Sequence, residues 1–210
     1  MAIIYGAKVV EGSWGGIVAM VNGLRFKTAR DLFAAYPAAS QDMKATPTDQ
    51  PSLEFCRSLL ASKVPEEAVT FCAYLLPDRA AVWWGHECLN HLTELLEEQD
   101  HRLLALVHDW VSEPLEHRSH AAINEASAVG QRTPAVWIAL AAGQNGKSAY
   151  GDETSPLASA ATARAVNAGI LAGLARVALA DRLSVLTAFV EMGIHLAEIE
   201  GARDLSDEPS

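Results

Sequence analysis

The stretch that decides the fold runs from residue 65 to residue 84 and reads PEEAVTFCAYLLPDRAAVWW. Pro65 followed by two glutamates is a typical helix start, because proline suits the first turn and acidic side chains favour the positive end of the helix dipole. Pro77 and Asp78 repeat this signal, and apolar residues follow each start at helical spacing. The stretch therefore predicts two consecutive helices, one from 65 to about 76 and one from 77 to about 96.

The same signals predict helices on both sides of this stretch. Thr28 is expected to cap a helix that reaches Tyr36. Apolar periodicity and further start signals predict other helices near residues 51–60, 100–112, 114–129, 135–142, 155–180 and 182–200. About eight or nine helices joined by short loops indicate an all-α fold, a compact multi-helix bundle.

Two features refine this expected packing. Gly169 and Gly173 are four residues apart in an alanine-rich helix, which permits close approach of a neighbouring helix. The last helix should bury one apolar face, formed by Leu183, Leu186, Phe189, Val190, Ile194 and Ala197.

The chain divides into three parts by composition. Residues 1–26 alternate apolar residues with glycines and predict a short Gly-rich N-terminal arm or small hairpin. Residues 27–200 form the expected helical domain, and residues 201–210 an acidic flexible tail. The apolar residues of the arm would be costly to leave in water, so we expect it to contact the helical body, a partner or a second copy.

Charge and length exclude several classes of protein. The chain of 210 residues has 16 basic and 26 acidic side chains, a formal net charge of −10. This balance argues against a nucleic-acid partner, because phosphate backbones are bound by lysine and arginine. No secretory signal and no apolar run of about 20 residues is present, which predicts no membrane insertion and a cytoplasmic location. Three widely spaced cysteines predict reduced, buried thiols.

The motifs that resemble catalytic or metal sites fail on spacing. Residues 86–91 read HECLNH, which resembles the zinc-protease pattern, but the second histidine comes one residue too late to share a helix face with the first. Residues 146–148 match the end of a phosphate-binding loop, whereas Ala141 stands where its first glycine belongs. We therefore predict no catalytic residue, no cofactor and no metal.

Two adjacent tryptophans need separate interpretations, because neighbouring residues on a helix point about 100° apart. Trp83 is expected on a buried face with Val82, His86 and Leu89. Its neighbour Trp84 can cover another helix or meet a partner. Trp14 and Trp84 are thus candidate partner-binding residues.

Acidic residues are concentrated between positions 87 and 116, which contain eight acids and one arginine. The apolar residues of this region should face inward, so we expect all of the acids to project outward. Such a surface attracts basic proteins, chiefly by speeding encounter, although it can also serve solubility alone. Glu94, Glu97 and Glu98 are the candidate partner-binding acids.

A resemblance adds to these inferences. The segments TARDLF at 28–33, PEEAVTFCAYLLP at 65–77, AVWW at 81–84 and RTPAVW at 132–137 are similar to an uncharacterised bacterial family of helical proteins, and the likeness spans roughly residues 28–200. Genes of this family often lie near type VI secretion clusters. The resemblance therefore implies an accessory role in that system, and it implies no catalytic residues.

Two functions of different classes remain. The first is a cytoplasmic protein-binding accessory factor, an adaptor or chaperone-like protein whose partner is a secretion component or an effector. The second is an effector or enzyme with an unrecognised site among the histidines and glutamates of residues 86–120. Homo-oligomerisation stays open in both.

Overall fold

The computed structural model of the protein describes residues 26–144 and 156–204. The N-terminal arm that the sequence predicts lies outside these ranges except for Phe26, and Trp14 lies outside them as well. At the other end, the last helix continues to Asp204 instead of ending at Gly201, and the rest of the predicted tail lies outside the described residues.

The described ranges contain ten α-helices, one short 3-10 helix and no β-strand. An isolated bridge pairs Thr28 with Pro51. In chain order the helices are α1 (Ala29–Ala35), α2 (Ala39–Asp42), α3 (Ser52–Leu60), α4 (Glu67–Leu75), α5 (Asp78–Asn90), the 3-10 helix (Thr93–Leu95), α6 (Glu98–Ser112), α7 (Glu116–Ala128), α8 (Pro134–Gln144), α9 (Pro156–Leu174) and α10 (Leu179–Asp204). The prediction of an all-α, compact helical fold is confirmed.

Helix starts follow the local signals. Thr28 caps α1 as predicted, because its hydroxyl accepts the Asp31 N–H at 3.2 Å and the Asp31 carboxylate accepts the Thr28 N–H at 3.0 Å. Pro51 and Pro77 immediately precede α3 and α5. One short helix, α2, forms between α1 and α3, where the sequence signals predicted no helix.

The predicted end of α5 is wrong. The helix stops at Asn90 and is followed by the 3-10 helix, whereas the apolar spacing suggested that it continues to about residue 96. The Thr93 hydroxyl donates a hydrogen bond to the carbonyl of Asn90. This bond competes with the backbone hydrogen bond that the carbonyl would accept if the helix continued. The following backbone bonds, from Leu92 to Leu89 and from Leu95 to Leu92, have 3-10 spacing.

Glycines let the central helices approach closely. Helix α9 packs against α4, α5 and α8, and α8 also packs against α6 and α7. A methyl group placed on Gly169 of α9 would lie 2.6 Å from Cδ1 of Ile138, and one on Gly85 of α5 would lie 2.7 Å from the same atom. A methyl group on Gly173 would lie 2.6 Å from Leu89. The close approach predicted for Gly169 and Gly173 is confirmed.

Helix α10 packs against α3, α4 and α5. Trp84 of α5 is 1% exposed, and its indole N–H donates to the carbonyl of Phe189 at 2.8 Å. A methyl group on Gly193 would lie 2.4 Å from Sγ of Cys72 and 2.9 Å from Cε2 of Trp84. These contacts leave no room for any side chain at position 193.

The core contains the predicted face of α5 and the predicted thiols. Val82, Trp83, His86 and Leu89 are all buried, as expected. The three cysteines, Cys56, Cys72 and Cys88, are free and buried. A hydrogen bond with Cys56 and burial raise the pKa of the Cys72 thiol well above its usual value, and burial raises the pKa of Cys88.

A polar contact fixes α2 to the centre of the domain. Arg164 of α9 donates two hydrogen bonds to the carboxylate of Asp42, at 2.7 and 3.0 Å, and the Tyr74 hydroxyl donates a third at 2.6 Å. Burial opposes ionisation of Asp42, but the hydrogen bonds from Arg164 and Tyr74 hold its pKa below the ordinary value. This contact orders the segment between α1 and α3.

Candidate functional site

The turn that follows α5 presents acidic and apolar side chains together. Glu94, Glu97 and Glu98 are exposed, as the sequence predicts. Leu95 lies among them and keeps 43% of its surface exposed. The turn therefore combines negative charge with an apolar group that a partner could cover.

A buried ion pair holds this turn in place. Arg176, just after α9, donates from Nη1 to the carbonyl of Leu95 and to the carboxylate of Asp100, both at 3.0 Å. Asp100 is fully buried and also accepts the Thr133 hydroxyl and the backbone N–H of Glu97. The pair thus joins the starts of α6 and α8 to the end of α9.

The position of Asp100 corrects one sequence expectation. We predicted that all acids between residues 87 and 116 project outward, yet the side chain of this one is inaccessible to solvent. A buried carboxylate is tolerated when it is paired and hydrogen-bonded, and Arg176 and Thr133 satisfy that condition. The other acids of this region are exposed, except Glu87, which is half-buried.

The first two turns of α10 expose two leucines on one face. Leu179 is 80% exposed and Leu183 is 58% exposed. The sequence placed Leu183 on the buried face of this helix, and that prediction is wrong. Leu186, Phe189 and the later apolar residues of the predicted face are buried, and α10 packs against α3, α4, α5 and α9.

Leu95 and the start of α10 lie at the same end of the helical domain. The guanidinium of Arg176 donates to the carbonyl of Leu95, and Leu179 follows Arg176 by three residues, so the Cα atoms of Arg176 and Leu179 are at most about 11 Å apart. Three of the four large apolar side chains that are exposed in the described residues, Leu95, Leu179 and Leu183, are found here; the fourth is Val64, between α3 and α4. We call the three leucines together with Glu94, Glu97 and Glu98 the leucine–acid corner.

A second cluster contains imidazole groups. The rings of Trp83 and His86 stack with centroids 5.2 Å apart, and the ring of His108 lies 5.7 Å from that of His86. Nδ1 of His86 is 2.9 Å from the carboxylate of Glu87. An imidazole paired with a carboxylate can exchange protons, but the His86 side chain is only 8% exposed, so little of it could touch a substrate.

The candidate residues from the sequence thus divide into three groups. Glu94, Glu97 and Glu98 share one surface. Trp84 lies in the core, which conflicts with a partner-binding role for its side chain, and Trp14 lies outside the described residues. Sequence reasoning missed Leu179, because it placed this residue inside the helix predicted for 155–180, whereas α9 ends at Leu174 and Leu179 begins α10.

The described residues contain neither a metal-binding cluster nor a membrane-spanning helix. Within residues 26–144 and 156–204, no group of three histidine, cysteine, aspartate or glutamate side chains is arranged to hold a metal ion. None of the helices in those ranges has the length and apolar character needed to cross a membrane.

Comparison with known proteins gives one match. The model of a family of unknown function (DUF6931) matches residues 55–197, more than half of the chain, and the chain belongs to that family. The expectation of an uncharacterised family is confirmed. The matched range includes the leucine–acid corner. No curated protein and no solved structure matches the chain.

Proposed function

We propose that this member of the DUF6931 family is a cytoplasmic protein-binding accessory factor, adaptor or chaperone-like, and that it binds its partner through the leucine–acid corner. The observation that carries this proposal is the grouping of Leu95, Leu179 and Leu183 at one end of an otherwise well-buried helical domain. Exposed apolar groups rimmed by polar ones are typical of protein-interaction surfaces.

The proposed link to type VI secretion rests on the resemblance of the segments at 65–77 and 81–84 to a family whose genes lie near such clusters. In that setting the partner is a secretion component or an effector. The acidic side chains of the corner favour a partner with a basic surface, because complementary charge raises the rate of encounter.

The test is a capture experiment in the native host, with partners identified by mass spectrometry. The tagged chain is compared with a Leu179→Ser, Leu183→Ser double variant and with Val64→Ser, which removes the exposed apolar side chain that lies outside the leucine–acid corner. We expect one or more proteins to be captured by the wild type and by Val64→Ser, and to be lost from the double variant. Equal capture by all three chains would refute the proposed surface.

The second candidate function is that of an effector or enzyme that uses the imidazole cluster. The hydrogen bond between His86 and Glu87 is the observation that favours it. Expression in a sensitive host tests this candidate: toxicity that disappears with Glu87→Gln, in a variant that keeps its melting temperature, supports catalysis. An absence of toxicity in the wild type contradicts it.

A further inference from the structure

The leucines of α10 have the spacing that a helix recognises. Leu179 and Leu183 are four residues apart, so they lie on the same face about 6 Å apart along the axis. A partner helix with apolar residues at i and i+3 or i+4 presents ridges of matching spacing. Thus the geometry of this exposed face suits the apolar side of an amphipathic helix.

The charges around the leucines are negative. Glu94, Glu97 and Glu98 are exposed beside Leu95, and Asp181 is exposed in the first turn of α10. Two nearby arginines are already engaged: Arg176 pairs with buried Asp100, and Arg182 donates to the carbonyls of Ala175 and Val177 at 3.3 and 3.2 Å. These surroundings favour lysine or arginine on the partner.

Arg102 is the cation that opposes the glutamates most directly. Its guanidinium lies 3.4 Å from Glu98, and both side chains are largely exposed. An exposed pair of this kind contributes little and is readily exchanged for another partner. Glu94 has no ion pair with a described residue within 4.0 Å, whereas the Glu97 carboxylate accepts the backbone N–H of Asp100 and caps α6. A basic partner would therefore meet an unpaired carboxylate at Glu94 and a helix-capping carboxylate at Glu97.

The size of the apolar area indicates what kind of partner covers it. A stable interface between folded proteins buries roughly 800 Å² on each side. Three partly exposed leucines supply only a small part of that area, which argues against a symmetric dimer formed by this surface alone. A single helical segment, by contrast, needs only a few anchor residues.

We propose, as a refinement that rests on the proposed function, that the leucine–acid corner binds a short basic amphipathic helix of a partner protein. The apolar face of that helix covers Leu95, Leu179 and Leu183, and its flanking lysines or arginines face Glu94, Glu97 and Glu98.

The experiment uses the full chain and a synthetic peptide of about 16 residues, roughly four helical turns, with leucines on one face and lysines and arginines on the other. Two matched peptides replace the basic residues by glutamate or scramble the order so that no apolar face forms. Binding is measured by fluorescence anisotropy from low to physiological salt.

Protein variants locate the bound peptide. Leu179→Ser with Leu183→Ser should weaken binding of the basic peptide by at least about tenfold, since two apolar contacts are removed. Glu94→Gln with Glu98→Gln should weaken it by about fivefold and flatten the salt dependence. The control Glu54→Gln with Glu66→Gln removes two exposed acids on and after α3, and it should leave affinity unchanged.

Three results would overturn the inference: the acidic or the scrambled peptide binds as tightly as the basic one, the leucine variant binds it as wild type does, or the control variant weakens binding equally. Thermal melts check that each variant is folded. Each variant should melt close to the wild type, because surface substitutions change stability little. Failure of peptide binding, with native capture still lost in the leucine variant, would refute the basic helix and leave the proposed function standing. Peptide binding that needs the corner, together with native capture that does not, would refute the proposed function instead.

Discussion

Replacing Trp84 by alanine tests whether this residue belongs to the core or to a binding surface. The indole is one of the two largest fully buried side chains in the described residues, and it touches α10 at Gly193 and at the carbonyl of Phe189. Because α10 reaches the rest of the domain through such contacts, we expect a large loss of stability rather than a selective loss of binding.

The magnitude follows from the structure. Truncating a buried tryptophan to alanine costs about 3–5 kcal/mol, since the helices can close only part of the cavity. A domain of this size loses roughly 2–4 °C of melting temperature per kcal/mol, which predicts a fall of roughly 6–20 °C. Trp84→Phe keeps a ring but removes the bond to Phe189, so we expect a smaller loss of about 1–2 kcal/mol.

Urea unfolding followed by circular dichroism at 222 nm, together with calorimetry, measures these changes. The slope of the unfolding free energy against urea concentration should be the same for the wild type and the variants. An equal slope shows that the same native and unfolded states are compared in each protein. If Trp84→Ala unfolds within about 1 kcal/mol of wild type while partner capture is lost, then the indole is a surface anchor and the reasoning is wrong.

Three further predictions concern packing, charge and the N-terminal segment. Gly193→Ala should lower the free energy of unfolding by about 1–2 kcal/mol in calorimetry, because the cost of overpacking exceeds the gain in helix propensity. Gly130→Ala should be neutral, because a methyl group there meets nothing within 4 Å. Arg176→Met should lower the free energy of unfolding in urea by about 3 kcal/mol, because it leaves the buried carboxylate of Asp100 without its cation. Arg102→Met, which breaks the exposed pair with Glu98, should lower it by less than about 1 kcal/mol. Deleting residues 1–24 should leave the helical circular dichroism intact and weaken partner binding or self-association; global unfolding would show that these residues belong to the core.

The amino-acid sequence by itself determined where most helices begin and the class of the fold. The signals at Thr28 and Pro77 act over at most four residues, through caps and through the geometry of proline, so they can be read without knowing what packs nearby. The same holds for the close approach at Gly169, because a missing side chain creates space whatever the neighbour is.

Only the tertiary structure decided which surfaces are covered. Asp100 is buried where Arg176, 76 residues later in the chain, pairs with it, and Leu183 is exposed although it lies on the same predicted face as the buried Leu186. Trp84 is buried because α10 packs over its indole, which donates to the carbonyl of Phe189. Helical periodicity states which residues share a face, but whether that face meets another helix or water depends on contacts between segments far apart in sequence.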